Sequence, residues 1–294
     1  MRRVFLFLFF LVLGTSAFSA HFAFAAGPTY PGTTISEPTT WTKESSPYIL
    51  RYKLTVNKKL TIKPGTVIKF ASSATGIEMN AEISAIGTKN EKIVFTSIHD
   101  DSVGGNSDAG AGERASKWGD WDKINASPYY AAKFENVIVS YAATGIMSQS
   151  TVSQYTNLEI RDSEIKNNIT GIDILNLSPV IESNVISGNY TGISTKLSAF
   201  YPERTTTVRY NSFSGNSTGI FTSNSFALKY PTVDAKYNWW GSDTGPYNNL
   251  KNKGGKGDSV NDYWIGFDPW LKVDPNIGLD PVIIIPGIMG SWEV

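Results

Sequence analysis

The sequence predicts an all-β solenoid, a parallel β-helix, and two recurrences predict it. Thr-Gly-Ile returns at Thr144-Gly145-Ile146, Thr170-Gly171-Ile172, Thr191-Gly192-Ile193 and Thr218-Gly219-Ile220, with glycines 26, 21 and 27 residues apart. Asparagine returns in register with it. Asn168, Asn189 and Asn216 each stand three residues before a glycine, and Ser163, Asn184 and Asn211 each stand eight before it. Asn238, in Tyr237-Asn-Trp-Trp-Gly241, takes the eight-before place in a last, altered coil. A unit this short, with runs such as Leu158/Ile160 and no helical period, cannot bury its own apolar face. Stacked about 4.8 Å apart as parallel strands, such units bury their faces in one column. Leucine-rich repeats would need a denser Leu pattern, and a β-sandwich would not repeat the string in register.

Each element follows from this frame. Ile146, Ile172, Ile193 and Ile220 form one inward stack, and Ile165, Ile186 and Phe213 form another. Asn168, Asn189 and Asn216 stack amide on amide. The recurring glycine suits either a positive φ or a close backbone approach. Upstream, Tyr52–Val56, Leu60–Ile62, Val67–Phe70, Ile83–Ile86 and Lys92–Ser97 keep the strand rhythm. The polar, glycine-rich stretch 99–121 is an excursion between coils. The solenoid is expected over 49–250, with 26–48 an extended lead-in covering its first coil and 251–279 a cap and linker. A cap is needed because a bare end offers an open sheet edge.

Composition narrows the function. The 294 residues carry 26 basic and 26 acidic side chains, so nucleic acid is not expected as a partner. There is no cysteine, which removes disulfides and thiolate chemistry, and His21 and His99 are the only histidines. Arg2 and Arg3, the apolar run Val4–Leu13 and Ala23-Phe24-Ala25 make residues 1–25 a signal peptide, with an uncleaved anchor as the alternative. The expectation is a monomer in the bacterial envelope or outside the cell, without a membrane span after cleavage.

Several strings carry a resemblance: Leu60-Thr-Ile-Lys-Pro-Gly-Thr-Val-Ile-Lys-Phe70, Lys92-Ile-Val-Phe-Thr-Ser97, Gly119-Asp-Trp121 and Tyr237-Asn-Trp-Trp-Gly-Ser-Asp-Thr-Gly-Pro246. They resemble secreted bacterial right-handed parallel β-helix proteins of the pectin-lyase-like superfamily. That resemblance implies the fold over roughly residues 40–250. It leaves polysaccharide lyase, glycosidase, adhesin and non-catalytic module all open.

The stretch Asp280-Pro-Val-Ile-Ile-Ile-Pro-Gly-Ile-Met-Gly-Ser291 has the continuous aliphatic run of a strand buried on both faces. It resembles the first core strand and loop of lipase-like α/β-hydrolases, closest to the lecithin:cholesterol acyltransferase-like group. The resemblance implies an oxyanion role for the backbone N–H groups of Ile288 or Met289. No G-x-S-x-G is present, so Ser-His-Asp chemistry is not expected from these residues. The expectation is that 280–294 opens a truncated hydrolase domain; the alternative is a terminal strand capping the solenoid.

Within the solenoid, Glu159, Arg161, Asp162, Glu164 and Asp173 are the richest candidate for polysaccharide or cell-surface glycan binding. On one continuous strand, Glu159, Arg161 and Ser163 would share a face and Asp162 and Glu164 the other. A merely solvated charged face is the alternative. Asp100, Asp101, Asn106, Asp108 and Glu113, oxygen donors among glycines, are the candidate calcium ligands, although their spacing is not that of an EF-hand. Aromatic residues gather around the insertion and the last coil: Trp118, Trp121, Tyr129, Tyr130, Trp239, Trp240, Tyr247, Tyr263, Trp264 and Trp270. They suit either sugar stacking or plugging of loops and ends. The reading is a non-catalytic binding or display module ahead of a lipase-like domain. A β-helix lyase or glycosidase and a structural or adhesive surface protein are the alternatives.

Overall fold

The coil that runs from Thr170 to Thr191 shows how the chain is built. Thr170–Leu175 lies in a first sheet, Val180–Glu182 in a second and Val185–Ser187 in a third, and Thr191–Lys196 re-enters the first sheet. In the computed structural model, which describes residues 27–108, 114–150, 158–196, 205–223, 233–261 and 264–276, this path repeats along the whole solenoid. The three sheets hold eight, nine and seven strands among the described residues, each paired to its equivalent in the next coil. Every pairing between these strands is parallel, for example Ile172 with Ile193 and Ile165 with Ile186.

The expected stacks are present and longer than the repeat reveals. In the first sheet Leu54, Ile77, Ile124, Ile146, Ile172, Ile193 and Ile220 stand in one register. In the third, Ile68, Phe95, Val139, Ile165, Ile186 and Phe213 do the same. All thirteen are buried. Ile193→Ala therefore removes a side chain packed above, below and across the lumen, and should cost about 2–5 kcal/mol in equilibrium unfolding. A loss under about 1 kcal/mol would place Ile193 outside the core.

Two asparagine ladders line two of the corners. Asn168 Nδ2 donates to Asn189 Oδ1 at 3.0 Å, and Asn189 Nδ2 to Asn216 Oδ1 at 2.9 Å. The eight-before residues form the second ladder, Asn184 to Asn211 at 3.0 Å and Asn211 to Asn238 at 3.1 Å. Just before each ladder one residue turns left-handed. Asn136, Asp162, Ser183, Tyr210 and Tyr237 do so at the second-to-third corner, with φ between 50° and 59°. Tyr141, Asn167, Gly188, Gly215 and Gly241 do so at the third-to-first corner.

The boundaries differ from those expected. Within the stretch expected as a lead-in, Thr34–Ile35, Thr39–Trp41 and Tyr48–Leu50 already form a coil, paired with the next one in all three sheets. Trp41 stacks on Tyr48 at 4.6 Å and fills its end. At the other end the second sheet continues to Ile265–Gly266, past the expected limit at 250. Val260 bridges to Ile220, and Asp258 accepts the last ladder bond from Asn216 Nδ2 at 2.6 Å. Trp121 and Trp240 are core residues, stacked on Phe70 and Phe213. The expected signal peptide and the 280–294 strand, with Ile288 and Met289, lie outside the described residues.

Candidate functional site

The five charged residues read as one binding cluster lie in three places. The expected continuous strand breaks at Asp162, whose left-handed φ of 50° turns the chain. Ser163 consequently faces inward and is buried, where its Oγ accepts from Val137 N at 3.0 Å. Glu159 and Arg161 stay on the outer face of the second sheet. Glu164 begins a third-sheet strand, and Asp173 sits on the first sheet.

On the second sheet, charges pair between coils. Lys59 meets Glu82 at 2.8 Å, Lys133 meets Glu159 at 3.7 Å, Arg161 pairs with Glu182, and Arg209 with Asp234. Glutamate and arginine alternate along the register Glu135, Arg161, Glu182, Arg209. Opposite charges directly across a ladder stabilise the sheet and leave little for a ligand. Asp162 and Glu164 line a cleft of about 420 Å³ with Lys89 and Lys92. Burial pushes the Glu164 carboxyl up, but Lys166 at 2.7 Å and Lys92 at 2.6 Å reverse this and hold it below its ordinary value. Glu164 is therefore a neutralised anion, not a proton donor.

The loop expected to take calcium is built around a lysine. Lys69 projects from the outer face of the third sheet yet is fully buried, because the loop folds over it. Its ammonium donates to the carbonyls of Asp100, at 2.9 Å, and Gly105. Burial pulls the Lys69 ammonium down from its ordinary range, and Asp101, Asp100 and Asp108 oppose that shift. The Asp100 carboxylate is spent on Thr96 Oγ1 at 2.6 Å and Ser102 Oγ at 2.5 Å. Asp108 bonds His99 Nδ1, and Asn106 Oδ1 caps Asp108 N at 3.2 Å. The donors thus diverge, and among the described residues no three acidic or imidazole groups gather to hold a metal. Glu113 lies outside the described residues. Nothing local in Asp100–Asp108 announces Lys69, which comes from an earlier coil.

The outer face of the first sheet offers an extended surface. Glu78, Asn125, Met147 and Asp173 stand in one outward register. A cleft of about 490 Å³ runs over Glu78, Asn125 and Met147, walled by Tyr129 and Tyr130, and Asp173 lies beyond its lining. Both tyrosines are about half exposed, at 58% and 49%. Glu78 accepts from Asn125 Nδ2 at 2.6 Å and pairs with Lys53 at 3.2 Å, and Asp173 accepts from Gln149 Nε2 at 2.8 Å. Three strand spacings, about 14 Å, separate Glu78 from Asp173 along the sheet. Paired glycosidase carboxylates stand about 5–9.5 Å apart. The face can hold an extended ligand on a row of amides and carboxylates with an aromatic edge. Sequence reasoning named the tyrosines and Asp173 but not Glu78, Asn125 or Gln149, which only the coil register brings beside them.

The architecture is that of a right-handed parallel β-helix of the pectin-lyase-like type. Residues 114–239 match the family described as right handed beta helix region. No curated protein and no solved structure matches the chain.

Proposed function

We propose that this chain is a non-catalytic extracellular module that binds a polysaccharide or cell-surface glycan along its first sheet. The carrying observation is the groove itself, lined by residues of successive coils and edged by Tyr129 and Tyr130, with its carboxylate Glu78 already engaged by Lys53 and Asn125. Aromatic side chains offer apolar faces to sugar rings at low entropic cost. The 1–25 segment supports export, and among the described residues no helix is long and apolar enough to cross a membrane. The likeness of 280–294 to a hydrolase first strand is what a place beside a lipase-like domain rests on.

The test is retention of the protein on gels cast with pectin, alginate, glycosaminoglycan and neutral glucans, alongside an assay for new reducing or unsaturated ends. Retention without new ends is expected. Replacing Tyr129 and Tyr130 together by alanine should weaken retention at least about tenfold, a loss of about 1.4 kcal/mol, with an unchanged melting temperature. Release of new ends would instead make the groove a lyase or glycosidase site. No retention on any gel would leave the structural or adhesive reading in its place.

A further inference from the structure

A second cavity lies at the corner between the third and first sheets, where the insertion rejoins the solenoid. It measures about 600 Å³ and is lined by Ser116, Lys117, Trp118, Tyr141 and Asn167. That volume falls in the range of small-ligand sites, about 300–1,000 Å³. Its walls are fixed from several sides. Asp120, buried, accepts from Lys117 N at 3.1 Å, from Arg114 at 2.6 Å and from Ser97 Oγ at 2.8 Å. Gly119 N donates to Ala142 O at 3.2 Å, and Gly119 lies against Ile169 of the neighbouring coil. Tyr141 N donates to Asn167 O at 3.1 Å, which ties the two coils that form the floor. Trp118 is carried on this frame with 46% of its surface open.

The polar groups of this cavity are uncommitted. Ser116 Oγ is closed off from solvent and has no hydrogen-bond partner among the described residues. The same residues supply no partner to the Lys117 ammonium, the Trp118 indole N–H or the Asn167 amide. This sets the corner apart from the first-sheet groove, where amides and carboxylates satisfy one another. A buried hydroxyl left unpaired is costly, and a ligand hydroxyl is its natural complement. The cavity therefore asks for a molecule with one apolar face for the indole and hydroxyl groups around its rim.

We infer that this corner is a second carbohydrate site, separate from the groove, that takes a single pyranose ring against Trp118, with Asn167 and, once its side chain rotates toward the ring, Ser116 bonding its hydroxyls. Lys117 stands at the side of the ring, where it can donate to a hydroxyl of a neutral sugar or pair with the carboxylate of a uronic acid. The site needs no neighbouring coil beyond those described and no metal.

The test titrates the full chain with the methyl glycosides of glucose, galactose, mannose, N-acetylglucosamine, glucuronic acid and galacturonic acid, read by tryptophan fluorescence and calorimetry. At least one is expected to bind. Trp118→Ala should weaken it at least tenfold and Ser116→Ala several-fold, while Tyr129→Ala and Tyr130→Ala leave it unchanged. Lys117→Met separates the two sugar sources, because it removes a preference for uronates and leaves a neutral sugar bound within a few-fold. If Trp118→Ala lowers the melting temperature, Ser116→Ala and Trp118→Phe decide instead. The inference falls if none of the six glycosides binds, or if binding survives both Trp118→Ala and Ser116→Ala. Because the groove tyrosines are varied separately, loss of this site leaves the groove reading standing, and the reverse holds too.

Discussion

Gly192→Ala is expected to lower the unfolding free energy by more than about 3 kcal/mol, the upper end of ordinary overpacking. The recurring Thr-Gly-Ile glycines do not sit at positive φ. They are glycines because the next coil's backbone lies against them. A Cβ on Gly192 would stand 2.6 Å from the Gly219 carbonyl oxygen and 3.1 Å from Ile186 Cγ2. On Gly171 it would stand 2.5 Å from Gly192 O, and on Gly145 2.5 Å from Gly171 O. A carbonyl engaged in the solenoid cannot swing aside as the tip of a lysine can. The strands must part, and the hydrogen bonds of the first sheet lengthen with them. Gly215 is the contrast. It has a left-handed φ of 68° but nothing within 4 Å of an added Cβ, so Gly215→Ala should cost only about 1–2 kcal/mol. Urea unfolding of the two variants checks this. Equal losses would mean that conformation, not contact, decides both positions.

The same glycines show what the sequence carries and what it hides. Their register, with the isoleucines after them and the asparagines before them, is local information repeated coil after coil, so the stacks and the Asn168, Asn189 and Asn216 ladder are legible without coordinates, whereas of the second ladder only the register is. The reason for the glycine is not, because the obstructing carbonyl belongs to a residue more than twenty positions away. Lys69 is the same case in charged form. Alternation in Val67–Phe70 sends it outward, and only the later loop, donating two carbonyls from Asp100 and Gly105, buries it. The loop expected to hold calcium thus closes over a cation of the protein's own. The single strand expected through Glu159–Glu164 is broken by a left-handed Asp162, so that with Asp173 the charged residues fall on three sheets. The first coil, 34–50, lacks Thr-Gly-Ile and so escaped the repeat, while its edge pairing and the Trp41–Tyr48 stack place it in the solenoid.

Removing one rung of the second ladder should have an effect of similar size. Asn211 Oδ1 accepts from Asn184 N at 2.9 Å and Asn184 Nδ2 at 3.0 Å. Its Nδ2 donates to Ile181 O at 3.0 Å, Arg209 O at 3.0 Å and Asn238 Oδ1 at 3.1 Å. All of this is sealed from water, since Asn184, Asn211 and Asn238 are fully buried. Asn211→Ala strands the Asn184 backbone N–H and the Ile181 carbonyl, at about 1–3 kcal/mol for each unsatisfied group, so a loss of about 3–5 kcal/mol is expected. Asn211→Asp separates the donor from the acceptor. Aspartate keeps the acceptor for Asn184 but, once ionised, points a negative charge at three oxygens, which raises its pKa in the folded state. A carboxyl with a raised folded pKa binds its proton more tightly folded than unfolded, so its penalty is largest at neutral pH and fades as the pH falls through the raised value. Asp258 already tolerates a carboxyl at the end of the first ladder because it is asked only to accept, from Asn216 N at 3.0 Å and Nδ2 at 2.6 Å. Even there, burial holds the Asp258 carboxyl above its ordinary value, with the Asn216 bonds opposing the shift. Mid-ladder, with carbonyls in place of donors, the penalty must be larger. Asn211→Asp should therefore be about as unstable as Asn211→Ala at pH 7 and recover part of the loss near pH 4.5 relative to the parent chain, as read by denaturant unfolding at the two pH values. A variant equally stable at both would mean that the position admits water and that the ladder is not sealed.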